Sequence, residues 1–434
     1  MTVNYRKLFL CAACVLLGTA TMAQERETLR LSLEEAQRYA VEHNAAMQNA
    51  TLDVKKAEAD RWKTLSAMLP TVKAGYDYQN MCGYKMEMHM GPTAINIPMD
   101  PTGNLSVTAS LAVNGAMIVG TILQNIAVEM SDITRRQTEQ ATRTNVKNVY
   151  TSILVMQQTV NLLDSSLANM QRLAETSQSA VDVGAAEQVD ADKLQVQVAT
   201  LHNTVNSTRR SLAALRNTLL LQLGADVDAQ LELTTAMDDI MNVEDASRLL
   251  GQSFDITKNY NYQLLEQSEK LAKRQITMAW MDFSPTLSAY YQYSKKFHYG
   301  ETGMDMTPPN MVGASISVPI ITTGTRIAGI KSAKIAYEES VNSKRQAEDG
   351  LRVQYNQLCY DLASALETYD IQKRNMELTQ RVFNNVAEKY RYGRASSLEV
   401  TTASTEIITA QSNYIQAVMN VVSAQLALED LLNN

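Results

Sequence analysis

Soft-metal ligands cluster at one place in this sequence. Thioether, thiol and imidazole groups suit Cu(I) and Ag(I). The cluster consists of Met81, Cys82, Met86, Met88, His89 and Met90, and a second stretch adds His298, Met304 and Met306. Methionine is common throughout the chain, with 22 residues, so we predict no dedicated metal site. The candidate ligands for selective capture of copper or silver remain Met86, Met88, His89 and Met90.

Residues that carry enzyme chemistry are scattered. The four histidines show no pair at the helical spacing of metal ligands. They are His43, His89, His202 and His298. The sequence has no glycine-rich phosphate loop and no nucleophile elbow. We therefore expect a protein that is not an enzyme and holds no cofactor.

Composition and charge narrow the remaining classes. Hydrophobic residues make up 45% of the 434 residues, which is enough for a large buried core. The net charge is −7 and no basic stripe is present, whereas binding to nucleic-acid phosphates needs one. We expect a folded protein without a nucleic-acid partner.

The N-terminus has the pattern of a secretory signal peptide. Arg6 and Lys7 precede an apolar run over residues 8–20, and small residues follow up to Ala23, after which we predict cleavage. The run is too short to span a bilayer, which needs about 20 residues. Lipidation at Cys14 is a weaker alternative, because the apolar run continues beyond it.

The thiols that remain after cleavage give no disulfide framework. Cys82 and Cys359 are the cysteines outside the signal. Two cysteines in an exported chain are most simply two unrelated thiols. No stretch of 18 apolar residues follows residue 23, so we predict no transmembrane helix. A chain of this kind crosses a membrane only as a closed β-barrel.

The chain is an internal duplication. Pro70 and Pro285 lie 215 positions apart, and the same offset pairs several residues around them. Further on, Gly184 and Gly393 lie 209 positions apart. The six extra residues of the first copy belong in a loop. The predicted divisions are a signal peptide (1–23), a first repeat (24–225), a linker (226–246) and a second repeat (247–434).

Proline and alternation locate two strands in each repeat. All eight prolines lie in two windows, residues 70–101 and 285–319. Apolar and aromatic residues alternate at the start of each window. They are Val72, Ala74, Tyr76 and Tyr78 in the first copy and Leu287, Ala289, Tyr291 and Tyr293 in the second. Second strands are predicted at residues 105–113 and 311–320, so each chain supplies four strands.

Long helices fill the rest of each repeat. No glycine or proline occurs from Thr121 to Val183, and apolar residues recur there with a 3-4-3-4 spacing. A helix over residues 116–183 would be about 100 Å long. Gly184 and Gly393 mark tight turns into returning helices. Shorter helices are expected near 33–66 and 247–281.

Four strands cannot close a barrel, because an open sheet in lipid leaves its edge groups unpaired. The pattern therefore predicts an oligomer.

These features together resemble the TolC-type outer-membrane efflux protein family. The matching segments are the Leu69-Pro70 entry into the strand, residues 318–321 before Gly324, and the two helix tips at 183–190 and 390–400. The resemblance implies a membrane α+β fold with an internal duplication. Three chains would share a twelve-stranded β-barrel in the cell outer membrane, above a coiled-coil helical tunnel in the periplasm.

The resemblance also implies a gate at the helix tips. Asp190 and Glu399 match acids of the family's constriction, Tyr390 matches a tyrosine before the second glycine, and Arg394 lies beside the position of the family's arginine. That arginine belongs to the family's best-known member, and its position is Ala395 here. The position of that member's second ring acid is Thr402 here, so the latch is predicted to differ. The adaptor-docking tips would comprise Val183, Gly184, Tyr392, Gly393 and Arg394.

Plainer interpretations stay open for these residues. Asp190 and Glu399 also suit ordinary acids in the first turn of a helix. The strand tyrosines suit either an aromatic girdle at a membrane interface or a soluble strand. These tyrosines are Tyr76, Tyr78, Tyr290, Tyr291 and Tyr293.

The family implies an exit duct of a tripartite efflux pump. Its expected partners are two further copies in a homotrimer, outer-membrane lipid, a periplasmic adaptor and an inner-membrane pump of RND, ABC or MFS type. Drugs or other toxic small molecules are the expected cargo. The alternatives are a periplasmic coiled-coil scaffold, or the same fold serving type I protein secretion or copper and silver efflux. The sequence identifies neither the cargo nor the pump class.

Overall fold

A computed structural model describes residues 28–90, 93–237, 243–300, 308–321 and 324–432. The predicted signal peptide with Cys14, and the methionines Met304 and Met306, lie outside these residues. The chain divides into two compact units. The tip unit consists of Met1–Asn49, Gln137–Asp255 and Arg352–Asn434, and the sheet unit of Ala50–Arg136 and Ile256–Leu351.

Long helices dominate the fold, as the proline-free stretches predict. Two of them, of 68 and 67 residues, contribute to both units. The helices are α1 (Leu33–His43), α2 (Ala45–Ser66), α3 (Gly115–Asp182), α4 (Gln188–Leu223), α5 (Val243–Leu249), α6 (Tyr260–Met281), α7 (Thr325–Arg391) and α8 (Ser397–Leu432).

Four of the strands form one antiparallel sheet in the sheet unit, in the order β2-β5-β7-β8. The two strands predicted in each repeat are therefore adjacent in space. The strands are β1 (Thr28–Leu31), β2 (Thr71–Gln79), β3 (Lys85–Met90), β4 (Thr93–Pro98), β5 (Thr102–Val113), β6 (Gln230–Leu233), β7 (Thr286–His298) and β8 (Asn310–Ser317).

The sequence patterns missed two further strand pairs. β3 and β4 form an antiparallel hairpin inside the first proline window. β1 and β6 form a parallel pair in the tip unit, and β6 lies in the segment predicted as a linker. Each pair is short, and β1 and β6 are about 200 residues apart in sequence, so no local pattern connects them.

The helix expected over residues 33–66 is interrupted at Asn44. The Asn44 Oδ1 accepts a hydrogen bond from the backbone N–H of Ala46 at 2.7 Å. The equivalent Asn259 caps α6 by accepting from the backbone N–H groups of Asn261 and Tyr262. Asparagine side chains satisfy N–H groups that a helix leaves unpaired at its start, so the duplicated asparagine begins a new helix in both repeats.

Four helices pack together in the tip unit around one apolar cluster. The cluster joins the C-terminal parts of α3 and α7 to the N-terminal parts of α4 and α8. Its members include Leu163, Met170, Leu194, Leu201, Phe383, Val400 and Ile407. The 3-4 seams read from the sequence are therefore the surfaces that join the two helical hairpins.

One helix passes a test of length and composition for a membrane span. Within the described part of the chain, α3 is the one helix long and apolar enough to cross a membrane by length and composition. The apolar stretch of α3 contains few charged residues, although it contains several polar ones. Of that stretch 17% is buried, and a single helix that passes this test is weak evidence of a membrane span.

Candidate functional site

Both helical hairpins reverse direction at a glycine with a left-handed backbone. Gly184 has φ 73° and Gly393 has φ 68°. At each tip the glycine N–H donates to the carbonyl three residues back, and the next residue donates to the carbonyl five residues back. This is the Schellman arrangement, which favours glycine because a side chain at positive φ is strained. The sequence predicted these two turns correctly.

Asp190 connects the two hairpins. It is the third residue of α4, and its Oδ1 accepts a short hydrogen bond from the hydroxyl of Ser397, the first residue of α8. Lys193 Nζ lies 3.3 Å from the same oxygen. The Ser397 bond lowers the pKa of Asp190, burial opposes it, and Lys193 lowers it further. The carboxylate is therefore held ionised at neutral pH.

Glu399 performs a different task. Its Oε2 accepts from the backbone N–H of Ser396 at 2.7 Å, and the Ser396 hydroxyl accepts from the backbone N–H of Glu399 at 3.3 Å. This reciprocal pair is a capping box, which satisfies two unpaired N–H groups at the start of α8. The bond from the Ser396 backbone is the main reason that the pKa of Glu399 is lowered.

Tyr390 also reaches the other hairpin. Its hydroxyl donates to Ser177 Oγ at 2.8 Å, and Ser177 on α3 is 1% exposed. The Tyr390 ring packs against the apolar cluster that joins the four helices. A half-buried tyrosine that is bonded at its polar end helps to fix the spacing of the elements it joins. Ser177 and Ser397 were not identified from the sequence, because both act through contacts distant in sequence.

The outermost tip residues are exposed. Val183 and Tyr392 are 79% and 71% exposed. Arg394 is exposed as well, and no ion pair found among the described residues includes it. Ala395, at the position of the family's arginine, is half-buried. The predicted docking residues therefore form an accessible surface at the end of the tip unit.

A groove of about 580 Å³ lies below this surface, between α3 and α7. Polar and charged side chains of both signs line most of it. They include Arg172, Glu175, Thr176, Asn384, Glu388 and Arg391.

The strand register divides the four-stranded sheet into an apolar and a polar face. Residues directly opposite in antiparallel strands point to the same side. One face consists mainly of Val72, Ala74, Tyr76, Tyr78, Leu105, Val107, Ala109, Leu111, Val113, Leu287, Ala289, Tyr291, Tyr293, Lys295, Phe297, Val312, Ala314 and Ile316. The other carries Thr71, Lys73, Asp77, Asn104, Ser106, Thr108, Ser110, Ser288, Tyr290, Gln292, Ser294, Lys296, Ser315 and Ser317.

The register separates the predicted girdle tyrosines. Tyr76, Tyr78, Tyr291 and Tyr293 lie on the apolar face, whereas Tyr290 lies on the polar face opposite Gly313. The sequence placed all five together because Tyr290 and Tyr291 are adjacent. Adjacent residues of a strand point to opposite sides, so Tyr290 does not belong to the same surface as the other four.

The register also divides the predicted metal ligands. Met86 and Met88 share one face of β3, whereas His89 points to the other side with Glu87. The His89 Nε2 lies 3.9 Å from the Glu87 carboxylate. In the part of the chain that the structure covers, no group of three or more His, Cys, Asp and Glu side chains is arranged to hold a metal ion. Cys82 and Cys359 are both free thiols.

Comparison with known proteins gives a family for the second repeat. The sequence model described as "Outer membrane efflux protein" matches residues 257–434. This range contains α6, β7, β8 and the whole second hairpin with its tip at Gly393. No curated protein sequence matches the chain significantly.

Solved structures share the fold over almost the whole length. VceC from Vibrio cholerae aligns with a TM-score of 0.74 at 14% identity, over 93% of this chain and 96% of that one. CusC gives 0.76 at 16% identity, over 92% and 91%. The open state of the MtrE channel of Neisseria gonorrhoeae gives 0.74 at 16% identity, over 93% and 89%. At these identities the likeness shows the fold, which is that of TolC-type channels.

Proposed function

Because residues 257–434 match the outer membrane efflux protein family and the fold is that of TolC-type channels, we propose that this chain is the exit duct of a tripartite efflux pump. It receives small molecules from an inner-membrane pump through a periplasmic adaptor and releases them outside the cell. Drugs and other toxic compounds are the proposed cargo. We place the chain in the outer membrane, with its long helices in the periplasm.

The observation that carries this proposal is the division of the sheet into two faces. The apolar face is exposed along β2 and over much of β7 and β8. Val72 is 69% exposed, Val312 80% and Ile316 70%. Exposed apolar surface of this extent is unfavourable in water and favourable against lipid tails. The polar face, rich in serine and threonine, suits the wall of a water-filled channel.

The edges of the sheet favour closure by further copies. β2 and β8 are the two ends of the sheet order. They run in opposite directions, so β8 of one chain can pair antiparallel with β2 of the next. Three copies would give twelve strands and leave no edge within the lipid, where each unpaired backbone group costs several kcal/mol.

A stripe on α7 suits the same association. Val353, Tyr360, Ile371, Leu378 and Val382 are between 48% and 72% exposed. At 100° per residue they fall within about 40° of one another on the helix. Such a stripe is normally covered by another helix. A second copy of the chain, packed side by side in a homotrimer, supplies that cover.

The helix tips are the proposed gate and docking end. Asp190 and Tyr390 tie the two hairpins of one chain together, and the exposed tip residues Val183, Tyr392 and Arg394 are available to an adaptor. Three copies would bring three Asp190 carboxylates and three Glu399 carboxylates towards one axis. Rings of like charge in a narrow pore concentrate cations. The pump that supplies the energy is of RND, ABC or MFS type.

Planar-bilayer conductance of the purified mature protein tests the proposal. We expect a small, cation-selective conductance that rises or loses selectivity in Asp190→Ala and Glu399→Ala. A conductance that neither substitution changes would keep the channel and remove the gate from these residues. A folded, membrane-extracted oligomer without conductance would contradict the proposal and favour a periplasmic scaffold.

Copper or silver efflux is a second candidate, because Met86 and Met88 share one face of an exposed hairpin. Unchanged copper tolerance after joint replacement of Met86, Met88 and Met90 would exclude it.

A further inference from the structure

A single charge lies on the apolar face of the four-stranded sheet. Every other side chain of that face is apolar, aromatic or, at Asn310, a neutral amide. The charge is Lys295, which shares a row with Tyr76 and Leu105. A lysine on the lipid side of a barrel is strongly unfavourable at mid-membrane and costs little at an interface. The position of Lys295 along the strand therefore decides whether its charge is costly or tolerated in the bilayer.

The position of Lys295 is the outer rim of the apolar band. The band begins near Leu287, and eight residues along β7 rise about 26 Å. With the usual strand tilt this covers about 20 Å of bilayer, close to the apolar band of about 25 Å in such barrels. β7 ends three residues later at His298, where the loops begin. Since the helices lie in the periplasm, the loop end faces outward.

Lys295 lies beside aromatic side chains at this rim. Its Nζ lies 5.4 Å from the ring centroid of Phe297, and the Phe297 ring lies 6.4 Å from that of Tyr76. The ring of Tyr76 lies over β5 at Gly103, where a Cβ would collide with the tyrosine hydroxyl. A glycine under a tyrosine ring leaves the ring flat against the sheet. The Tyr76 ring therefore lies against the sheet beside Phe297.

Two hydroxyl groups complete the cluster. Tyr76 and Tyr299 are hydrogen-bonded through their hydroxyls at 2.6 Å. Tyr78 contacts Tyr299 edge to face at 5.8 Å, and the Tyr299 backbone N–H donates to Pro101. One hydroxyl proton is used between the two tyrosines, so the other stays free to donate. One ammonium and one hydroxyl donor are thus presented to the surrounding lipid.

We infer that Lys295, Tyr76 and Tyr299 form a binding site for the phosphate of an outer-leaflet lipid headgroup, one site on each chain. The inference rests on the proposed membrane position. A phosphate oxygen accepts from the Lys295 ammonium and from the free tyrosine hydroxyl, while the acyl chains lie on the apolar face below. The lone lysine gains a counter-charge, and each lipid holds its barrel at a fixed depth.

Lipid retention by the purified oligomer tests the site. The oligomer is exchanged into micelles that contain either a diphosphorylated glycolipid of the lipid A type or the same lipid without phosphates, and bound lipid is counted by native mass spectrometry. We expect the phosphorylated lipid to be retained, and roughly five-fold less of it in Lys295→Met. Lys295→Arg keeps the charge and should retain the lipid.

Lys296→Met is the matched control. Lys296 is the next residue but lies on the polar face, so its replacement should leave lipid retention unchanged. Equal retention by Lys295→Met and Lys296→Met, or equal retention of both lipids by the wild type, would overturn the inference. If Lys295→Met fails to assemble, Lys295→Gln replaces it with the same expectation. Conductance is measured in parallel: loss of the lipid with normal conductance supports the site, and a channel-inactive wild type contradicts the proposed function alone.

Discussion

The two hairpin tips descend from one duplicated unit, yet their acids do different things. Asp190 and Glu399 are equivalent, 209 positions apart, and each is the third residue of its helix. Glu399 bonds within its own tip, to Ser396. The residue equivalent to Ser396 is Glu187, which makes no side-chain cap. Asp190 therefore has no local cap to serve, and it bonds to Ser397 on the other hairpin.

The difference shows how one repeat can acquire a hydrogen bond that joins it to the other. A single change at the residue before the helix decides whether the following acid is used locally or is free to reach a neighbour. The same asymmetry occurs at Tyr390, which reaches Ser177, while its equivalent Val181 carries no polar group. Both cross-hairpin bonds are thus made by positions at which the two repeats have diverged.

The largest expected effect comes from the seam below the tips. Leu194 is fully buried in the first repeat, whereas its equivalent is the smaller Ala403. We expect Leu194→Ala to lower the free energy of unfolding by about 2–5 kcal/mol, because it opens a cavity in the cluster that joins the hairpins. Thermal or denaturant unfolding followed by helical circular dichroism measures this.

Val196→Ala is the control for that substitution. Val196 lies one half-turn away and is 64% exposed, so its truncation should change stability by less than about 0.5 kcal/mol. Equal losses for the two substitutions would show that the cluster does not hold the hairpins together.

The next prediction tests the hydrogen bond between Ser397 and Asp190, which joins the two hairpins. Ser397→Ala removes the donor to Asp190 and keeps the acid. A hydrogen bond to a charged acceptor is worth about 1.5–3 kcal/mol, and the partly exposed carboxylate reduces this to about 1 kcal/mol. We expect that loss of stability, measured by thermal unfolding, together with a larger single-channel conductance.

Gln188→Ala changes the position equivalent to Ser397 in the first repeat. The Gln188 side chain bonds to Asp192 of its own helix at 2.9 Å, so its removal should leave conductance unchanged. If Gln188→Ala raised conductance as much as Ser397→Ala, the asymmetry between the tips would have no functional meaning.

A smaller effect separates charge from capping at Glu399. Glutamine can replace glutamate in a capping box, so Glu399→Gln should leave the melting temperature unchanged while it removes one charge per chain. Glu399→Ala should lower the melting temperature and also remove the charge. Cation selectivity in planar bilayers is the second measurement. Selectivity that survives in Glu399→Gln would make Glu399 a helix cap and nothing more.

The smallest effect is a dependence on pH. The Ser397 hydrogen bond lowers the pKa of Asp190 below its usual value of about 3.9. Stability from an acid whose pKa is lowered on folding is present above the unfolded value and is lost as the pH falls through the folded value. The difference in melting temperature between the wild type and Ser397→Ala should be constant from pH 8 to 5 and shrink below about pH 4. A difference that shrinks already near pH 6 would contradict this assignment.

Much of the fold followed from the sequence. Proline windows placed β2, β5, β7 and β8, and glycine marked both hairpin turns, because each of these signals is local. The β1–β6 pair was missed because its strands are far apart and only four residues long. The break at Asn44 was also missed, although an asparagine that repeats at a fixed offset indicates a helix start.

Less of the candidate site could be predicted from the sequence. Ser396 and Glu399 have the spacing of a capping box and could have been identified from the sequence alone. The bonds of Asp190 to Ser397 and of Tyr390 to Ser177 join residues more than 200 positions apart, and no periodicity indicates them. The side of the sheet on which Tyr290 lies could have been predicted from the alternation of side chains along a strand. The prediction failed because the tyrosines were grouped by residue type and not by position.

The unpaired edges of β2 and β8 have a consequence for biogenesis. A newly exported chain presents two open strands and an apolar surface, and it cannot enter lipid until both edges are covered. If three copies close the barrel as proposed, insertion follows the meeting of three chains, and its rate should rise steeply with the concentration of newly exported chains. Until then each chain is prone to aggregate, and periplasmic chaperones that shield strand edges would determine how many chains reach the membrane.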